Sequence, residues 1–312
     1  VYKRQPIEWF RASWQRGGAA TGFSTWRLSN GSLIECLVKF PIGPCEYRWT
    51  TGLGRIDEQA WSDPAILSIA TPRVIACGSD LGGYDLAWII TERLRGPTLA
   101  ANFDEAAVMD LLRAVVDFQA AATKLAPVGA HPPTPDWERT LRRSREIVRA
   151  GGIPELQRWN DMIKRVQRSL PVLRTRWETR SMNSWCHGDL HPGNALRRPA
   201  SPDGSNLAGR HGCVLIDLAM VHPGHWLEDA LYLERQYWGH TELLHGVKPV
   251  SALAKLRRER GLPTDDQYAE LCHARRVLMA ACAPALLERE GNPKYLHAAL
   301  ELIERFLPQA VK

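Results

Sequence analysis

Two hydrophobic periods divide the chain. Over the first hundred residues the apolar positions gather in short β-branched and aromatic runs bounded by glycine and proline. "FSTWRLS" (23–29) and "LIECLVKF" (33–40), joined by "NGS", predict a β-hairpin, preceded by a glycine- and alanine-rich turn from Gly17 to Gly22. "CEYRWTTGLG" (45–54) predicts a short helix, and "TPRVIACGSDLGGYDLAWIITERLRG" (71–96) two more strands around a Gly-Gly turn. From about residue 104 the period becomes helical. Val108, Leu111, Leu112, Val115, Val116 and Ala120 recur at three- and four-residue spacing behind Asp104, a suitable N-cap. Further helices are predicted at 138–149, 155–179, 266–289 and 294–306, with "HPPTPDW" (131–137) as a loop and "GCVLIDLAM" (212–220) as a buried strand. The expectation is an α+β chain of two lobes. A small β-rich lobe spans 1–95 and a larger, mainly helical lobe spans 96–312, with a linker near 94–103 and no internal repeat.

Composition narrows the function classes. The chain has 312 residues, 45% hydrophobic and 24% charged, as in a folded globular protein. The absence of a long uncharged apolar stretch, and of an apolar core in "VYKRQPIEWF", leads us to expect a cytoplasmic protein without a membrane partner. The net charge of +6 is spread along the chain. The basic runs at 139–149 and 255–261 read as solvated helix faces, so no nucleic-acid partner is expected. The seven cysteines are an odd number with no C-x-x-C pair, which predicts reduced, mostly buried thiols.

"CHGDLHPGN" (186–194) carries the chemistry and admits two readings. As metal ligands, His187, Asp189 and His191, with Asp217, His222, His225 and Asp229, would suit a zinc- or manganese-dependent hydrolase active without nucleotide. No H-E-x-x-H pair supports this on a predicted helix, and Pro-Gly follows His191. Phosphoryl transfer uses more of the residues in one mechanism. It needs a carboxylate for the attacking hydroxyl, oxygen ligands for magnesium, and a cation for the phosphates. Asp189 can serve as the base. Asn194, just past the His191-Pro192-Gly193 turn, and Asp217, at the end of a predicted buried strand, offer the amide and carboxylate oxygens that magnesium prefers. Lys39 sits inside an apolar strand, where an unpaired ammonium is costly unless it is an edge position with its amine in water. Its expected ion-pair partner is Glu46, with Glu58 as the competitor.

"HGDLHPGN" followed by "LID" (215–217) resembles the aminoglycoside phosphotransferase and choline kinase family, small-molecule kinases with a two-lobed protein-kinase-like fold. The hairpin with its lysine strand, the hinge-like "AWIITERLRG" and "PGHWLEDALYLE" extend the similarity over most of the chain. The resemblance implies ATP and Mg²⁺ as cofactors, with Asp189 as catalytic base and Asn194 and Asp217 as metal ligands. It also implies Lys39, with a glutamate partner, on the α- and β-phosphates, and backbone groups of Glu92 to Leu94 for the purine. His187 and Gly188 would shape the loop, and Gly224 and Asp229 would be structural, Asp229 as a buttress of that loop. The chain departs from protein kinases at Gly188 and His191, in Leu-Ala after Asp217, in lacking A-P-E, and in "GGAATGF", which does not match G-x-G-x-x-G. An activation-loop phosphate is therefore not implied.

The partner expected is a small hydroxylated acceptor: aminoglycoside-like, an amino alcohol or a sugar. Glu228, Asp229 and Glu234 could attract a cation, and Trp226, Tyr232, Tyr237 and Trp238 could stack on it. Against that, Leu227, Leu231 and Tyr232 recur at helical spacing, as core positions do. A nucleotide-binding pseudokinase is the remaining alternative, although the presence of Lys39, Asp189, Asn194 and Asp217 gives no reason to prefer it.

Overall fold

A computed structural model describes residues 6–10, 18–29, 31–55, 69–129, 135–198, 212–286 and 292–312. Its contacts gather the chain into two compact units, Val1–Pro127 with Trp185–His222, and Val128–Ser184 with Pro223–Lys312.

The first unit is built on a five-stranded antiparallel sheet in the order β1-β2-β3-β5-β4: β1 Glu8–Phe10, β2 Ala20–Arg27, β3 Leu33–Phe40, β4 Val74–Gly78 and β5 Trp88–Glu92. The predicted hairpin forms, with Thr21 opposite Lys39 and Arg27 opposite Leu33. The expected turn before it is partly strand, because Ala20 to Gly22 already pair in β2; Gly17 lies outside the described residues. β1, which carried no expectation, pairs Glu8 with Phe23. Between β3 and β4 lies helix α1, Pro44–Gly54, with proline in its first turn, where the missing N–H costs nothing.

Helix α2, Glu105–Leu125, begins as predicted: the Asp104 carboxylate accepts from the Ala107 N–H at 2.8 Å. Leu111, Leu112, Val115 and Phe118 on its inward face are fully buried. The chain re-enters this unit along β6, Ser184–Cys186, where the Trp185 ring lies 4.5 Å from that of Trp49 and its N–H donates to the Ala126 carbonyl. β7, Ala195–Arg197, pairs with β8, Cys213–Leu215. The second strand is shorter than the apolar run that predicts it, and the chain leaves it two residues before Asp217.

The second unit is helical: α3 Trp137–Ala150, α4 Leu156–Glu178, α5 Glu228–Gln236, α6 Pro249–Glu259, α7 Tyr268–Ala281 and α8 Pro293–Ala310. Its core holds Trp159, Leu173, Trp177, Trp226, Val277 and Ile303. The helix expected over 266–289 ends at Ala281, and a short 3₁₀ turn, Ala283–Leu286, follows, with Pro284 unable to continue the α-helical ladder. None of the described helices is long and apolar enough to cross a membrane. All seven cysteines are free, five buried and two, Cys45 and Cys77, half-buried.

Candidate active site

Lys39 occupies the third strand of the sheet, flanked by β2 and β5, so it is not an edge lysine. Its Nζ lies 2.5 Å from Glu46 Oε1 and 3.7 Å from Asp217 Oδ1. Glu46 is buried in the first turn of α1, and burial pushes its carboxyl up against the opposing pull of Lys39. Glu58, the other partner considered, lies outside the described residues. The neighbouring Cys45 thiol donates to the Val221 carbonyl at 3.3 Å, so α1 is tied to the segment that follows Asp217.

The loop 187–194 is held by its own polar groups. His187 is fully buried; its Nε2 contacts the Ile216 carbonyl at 3.0 Å while Nδ1 accepts from the Asp189 N–H, which fixes the tautomer. Gly188 has φ +82°, and a Cβ there would meet the Met220 carbonyl oxygen at 2.2 Å. An arginine, as in protein kinases, would not fit this crossing of the two loops. His191 accepts from the Gly193 N–H and closes the turn that delivers Asn194. The Asn194 amide nitrogen donates to both the backbone carbonyl and Oδ2 of Asp189, each at 3.0 Å. The amide oxygen of Asn194 is therefore the atom left to act as a ligand. Asp217 has a left-handed backbone, φ 62°, and a side chain 48% exposed. The Ile216 N–H donates to the Asn194 carbonyl at 3.0 Å, which joins the two segments. The first unit thus brings Lys39, Glu46, Asp189, Asn194 and Asp217 onto a set of directly bonded segments.

Glu92 and Leu94 are at the end of β5 and just beyond it. The Glu92 N–H donates to the Arg73 carbonyl and the Arg93 N–H to the Glu35 carbonyl, while the half-buried Leu94 N–H has no hydrogen-bond partner among the described residues. The Glu92 side chain carries an ion-pair cluster that sequence reasoning missed. Arg73 and Arg198 both bind it, at 2.8 Å and 2.6 Å. Burial pushes the Glu92 carboxyl up, but the two guanidiniums outweigh it and hold the group below its ordinary value. Arg198 follows the exposed Arg197 in "NALRR", and only strand alternation hints that neighbours there face opposite ways.

The metal-ligand reading loses its donors to other bonds. Both nitrogens of His187 are engaged, and His191 and His222 each use Nδ1 within their turns. Among the described residues no group of three or more His, Cys, Asp or Glu could hold a metal ion. An amide and a carboxylate oxygen, as on Asn194 and Asp217, instead match a hard cation that keeps most of its waters.

A family model for the phosphotransferase enzyme family matches residues 57–271, more than half of the chain. The chain belongs to this family. No curated protein matches it. Among solved structures, this phosphotransferase is similar to a microcompartment-associated aminopropanol kinase, with 14% identity, a TM-score of 0.57, and coverage of 99% of this chain and 94% of the other. It is also similar to an aminoglycoside phosphotransferase from Alicyclobacillus acidocaldarius (17%, TM-score 0.54, coverage 92% and 89%). A thermostable mutant of aminoglycoside phosphotransferase APH(4)-Ia, in ternary complex with AMP-PNP and hygromycin B, matches at 12% with a TM-score of 0.50 and coverage of 98% and 95%. At these identities the shared property is the fold, that of protein-kinase-like small-molecule kinases.

In the second unit the residues considered for a cationic acceptor are largely committed elsewhere. Glu234 forms a bidentate pair with Arg276, both bonds 2.7 Å. Glu228 binds Arg180 and the His225 N–H, Asp229 is buried, and Trp226 and Trp238 belong to the core. Tyr232 and Tyr237 are half-buried.

Proposed function

We propose that the phosphotransferase moves the γ-phosphoryl group of ATP to a hydroxyl of a small molecule, with Asp189 as catalytic base. The observation that carries this reading is the double hydrogen bond from Asn194 to Asp189, which orients the carboxylate and turns the amide oxygen away from it. Asp189 takes the proton of the acceptor hydroxyl as the new O–P bond forms and the bond from the γ-phosphorus to the β,γ-bridging oxygen breaks, releasing ADP. Asn194 and Asp217 would hold magnesium, which when bound supplies positive charge against the phosphate oxygens. Lys39, kept in place by Glu46, would sit on the α- and β-phosphates, and the backbone of Glu92 to Leu94 would meet the purine. The complex with AMP-PNP known for a protein of this fold supports the nucleotide assignment.

Candidate acceptors are an aminoglycoside-like molecule, an amino alcohol or a sugar. The pairing of Glu228 and Glu234 with arginines favours no cationic acceptor over a neutral one.

Calorimetric titration of metal-stripped protein with ATP, with and without magnesium, tests the reading without knowledge of the acceptor. Magnesium-dependent binding is expected. Protein that binds no nucleotide under either condition would overturn it.

A further inference from the structure

We infer that Arg198 is a positioning residue, which fixes the purine-facing end of β5 relative to the two metal-ligand residues. The inference rests on the nucleotide reading above. Arg198 is almost wholly buried, with a side chain 4% exposed, and it joins three parts of the first unit. Its Nη2 donates to Glu92 Oε1 at 2.6 Å and to the Thr71 carbonyl at 3.1 Å, and its Nη1 donates to the Ile69 carbonyl at 3.1 Å. Glu92 is bound from the other side by Arg73, through the backbone N–H and Nε, both at 2.9 Å. The Glu92 carboxylate is thus clamped between the segment 69–73 and Arg198, the residue just beyond β7, a strand that begins one residue after Asn194.

The same segment reaches the other metal-ligand residue. The Leu215 N–H donates to the Ala70 carbonyl at 2.7 Å, two residues before Asp217. Residues 69–73 therefore bond to β5, to the residue after β7 and to β8. A guanidinium suits the junction because its planar fork serves one carboxylate and two carbonyls at once, which a lysine ammonium matches only in part. Removing it leaves Glu92 with one cation and frees two carbonyls, that of the buried Thr71 and that of the half-buried Ile69. The hinge end of β5 would then move independently of Asn194 and Asp217, so a nucleotide seated by its purine would no longer present its phosphates to both oxygen ligands.

The test measures ATP dissociation constants with and without magnesium for wild type, Arg198→Met, Arg198→Lys and Glu92→Gln, each shown to be folded by circular dichroism. The readout is the factor by which magnesium tightens ATP, which a mere loss of stability would leave unchanged. This factor is expected to fall at least about fivefold in Arg198→Met, the lower end of couplings between linked sites. Glu92→Gln should lower it in the same direction, and Arg198→Lys should recover part of it. Folded variants that keep the wild-type factor would overturn the inference. If Arg198→Met does not fold, Arg198→Lys and Glu92→Gln decide it by the same criterion. A wild-type protein that binds no ATP would instead remove the reading on which it rests.

Discussion

Asp189 and Asn194 are five positions apart, and the Pro-Gly turn between them folds the chain so that the amide returns to the carboxylate. Asp189→Asn keeps the shape and removes the proposed proton acceptor. Turnover is expected to fall by about 10²–10⁴, the usual contribution of a positioned base, while Mg-ATP affinity stays within a few-fold. Steady-state assay of ADP release together with calorimetry checks both halves, and retained turnover would refute the base assignment. The imidazoles beside this pair illustrate how residue type alone misleads. His187 looks like a metal ligand in "HGD", yet both its nitrogens are spent on holding the loop. The cysteines follow the opposite course. Their irregular spacing already predicts reduced thiols, and burial pushes Cys213, Cys272 and Cys282 up to about 12, beyond ready ionisation.

At the scale of elements, periodicity predicted most of the framework because each piece signals itself within a few residues. Asp104 and the spacing behind it give α2, and the hairpin follows from two β-prone runs around "NGS". β1 is too short to carry a period of its own, and the helix after 266 stops early because Pro284 interrupts a run that is otherwise apolar. The clamp on Glu92 joins elements distant in sequence, so its energetics belong here. With its carboxyl held below the ordinary value in the folded state, Glu92 contributes stability above the unfolded value, near pH 4, that is lost as pH falls through the folded one. Glu92→Gln should cost about 3 kcal/mol at pH 7 through two cations left uncompensated. The gap to wild type should begin to narrow below about pH 4, where the unfolded carboxyl takes up its proton, and go on narrowing as pH falls through the lower folded value. Urea midpoints compared from neutral to acid pH measure this, and a gap constant across the range would exclude the ion pair as its source.

For the molecule as a whole, every residue assigned to nucleotide, metal or base lies in the first compact unit. Ligand binding should therefore appear as a gain in that unit's stability. Mg-ATP at about a hundred times its dissociation constant is expected to add about 2.7 kcal/mol to unfolding, and Asp217→Asn to lose most of the magnesium-dependent part. Thermal scans at graded nucleotide concentration, with and without chelator, provide the check; a midpoint indifferent to magnesium would count against Asn194 and Asp217 as ligands. The sequence by itself determined the turn that returns Asn194 to Asp189 and most of the strand and helix framework, because the residues of that turn are neighbours and periodicity is a local property. Tertiary structure alone decided which distant charges meet: Arg198 with Glu92, Glu234 with Arg276. Charges far apart in the chain carry no local mark of their partners, and the geometry that selects among them exists only once the strands and helices have packed.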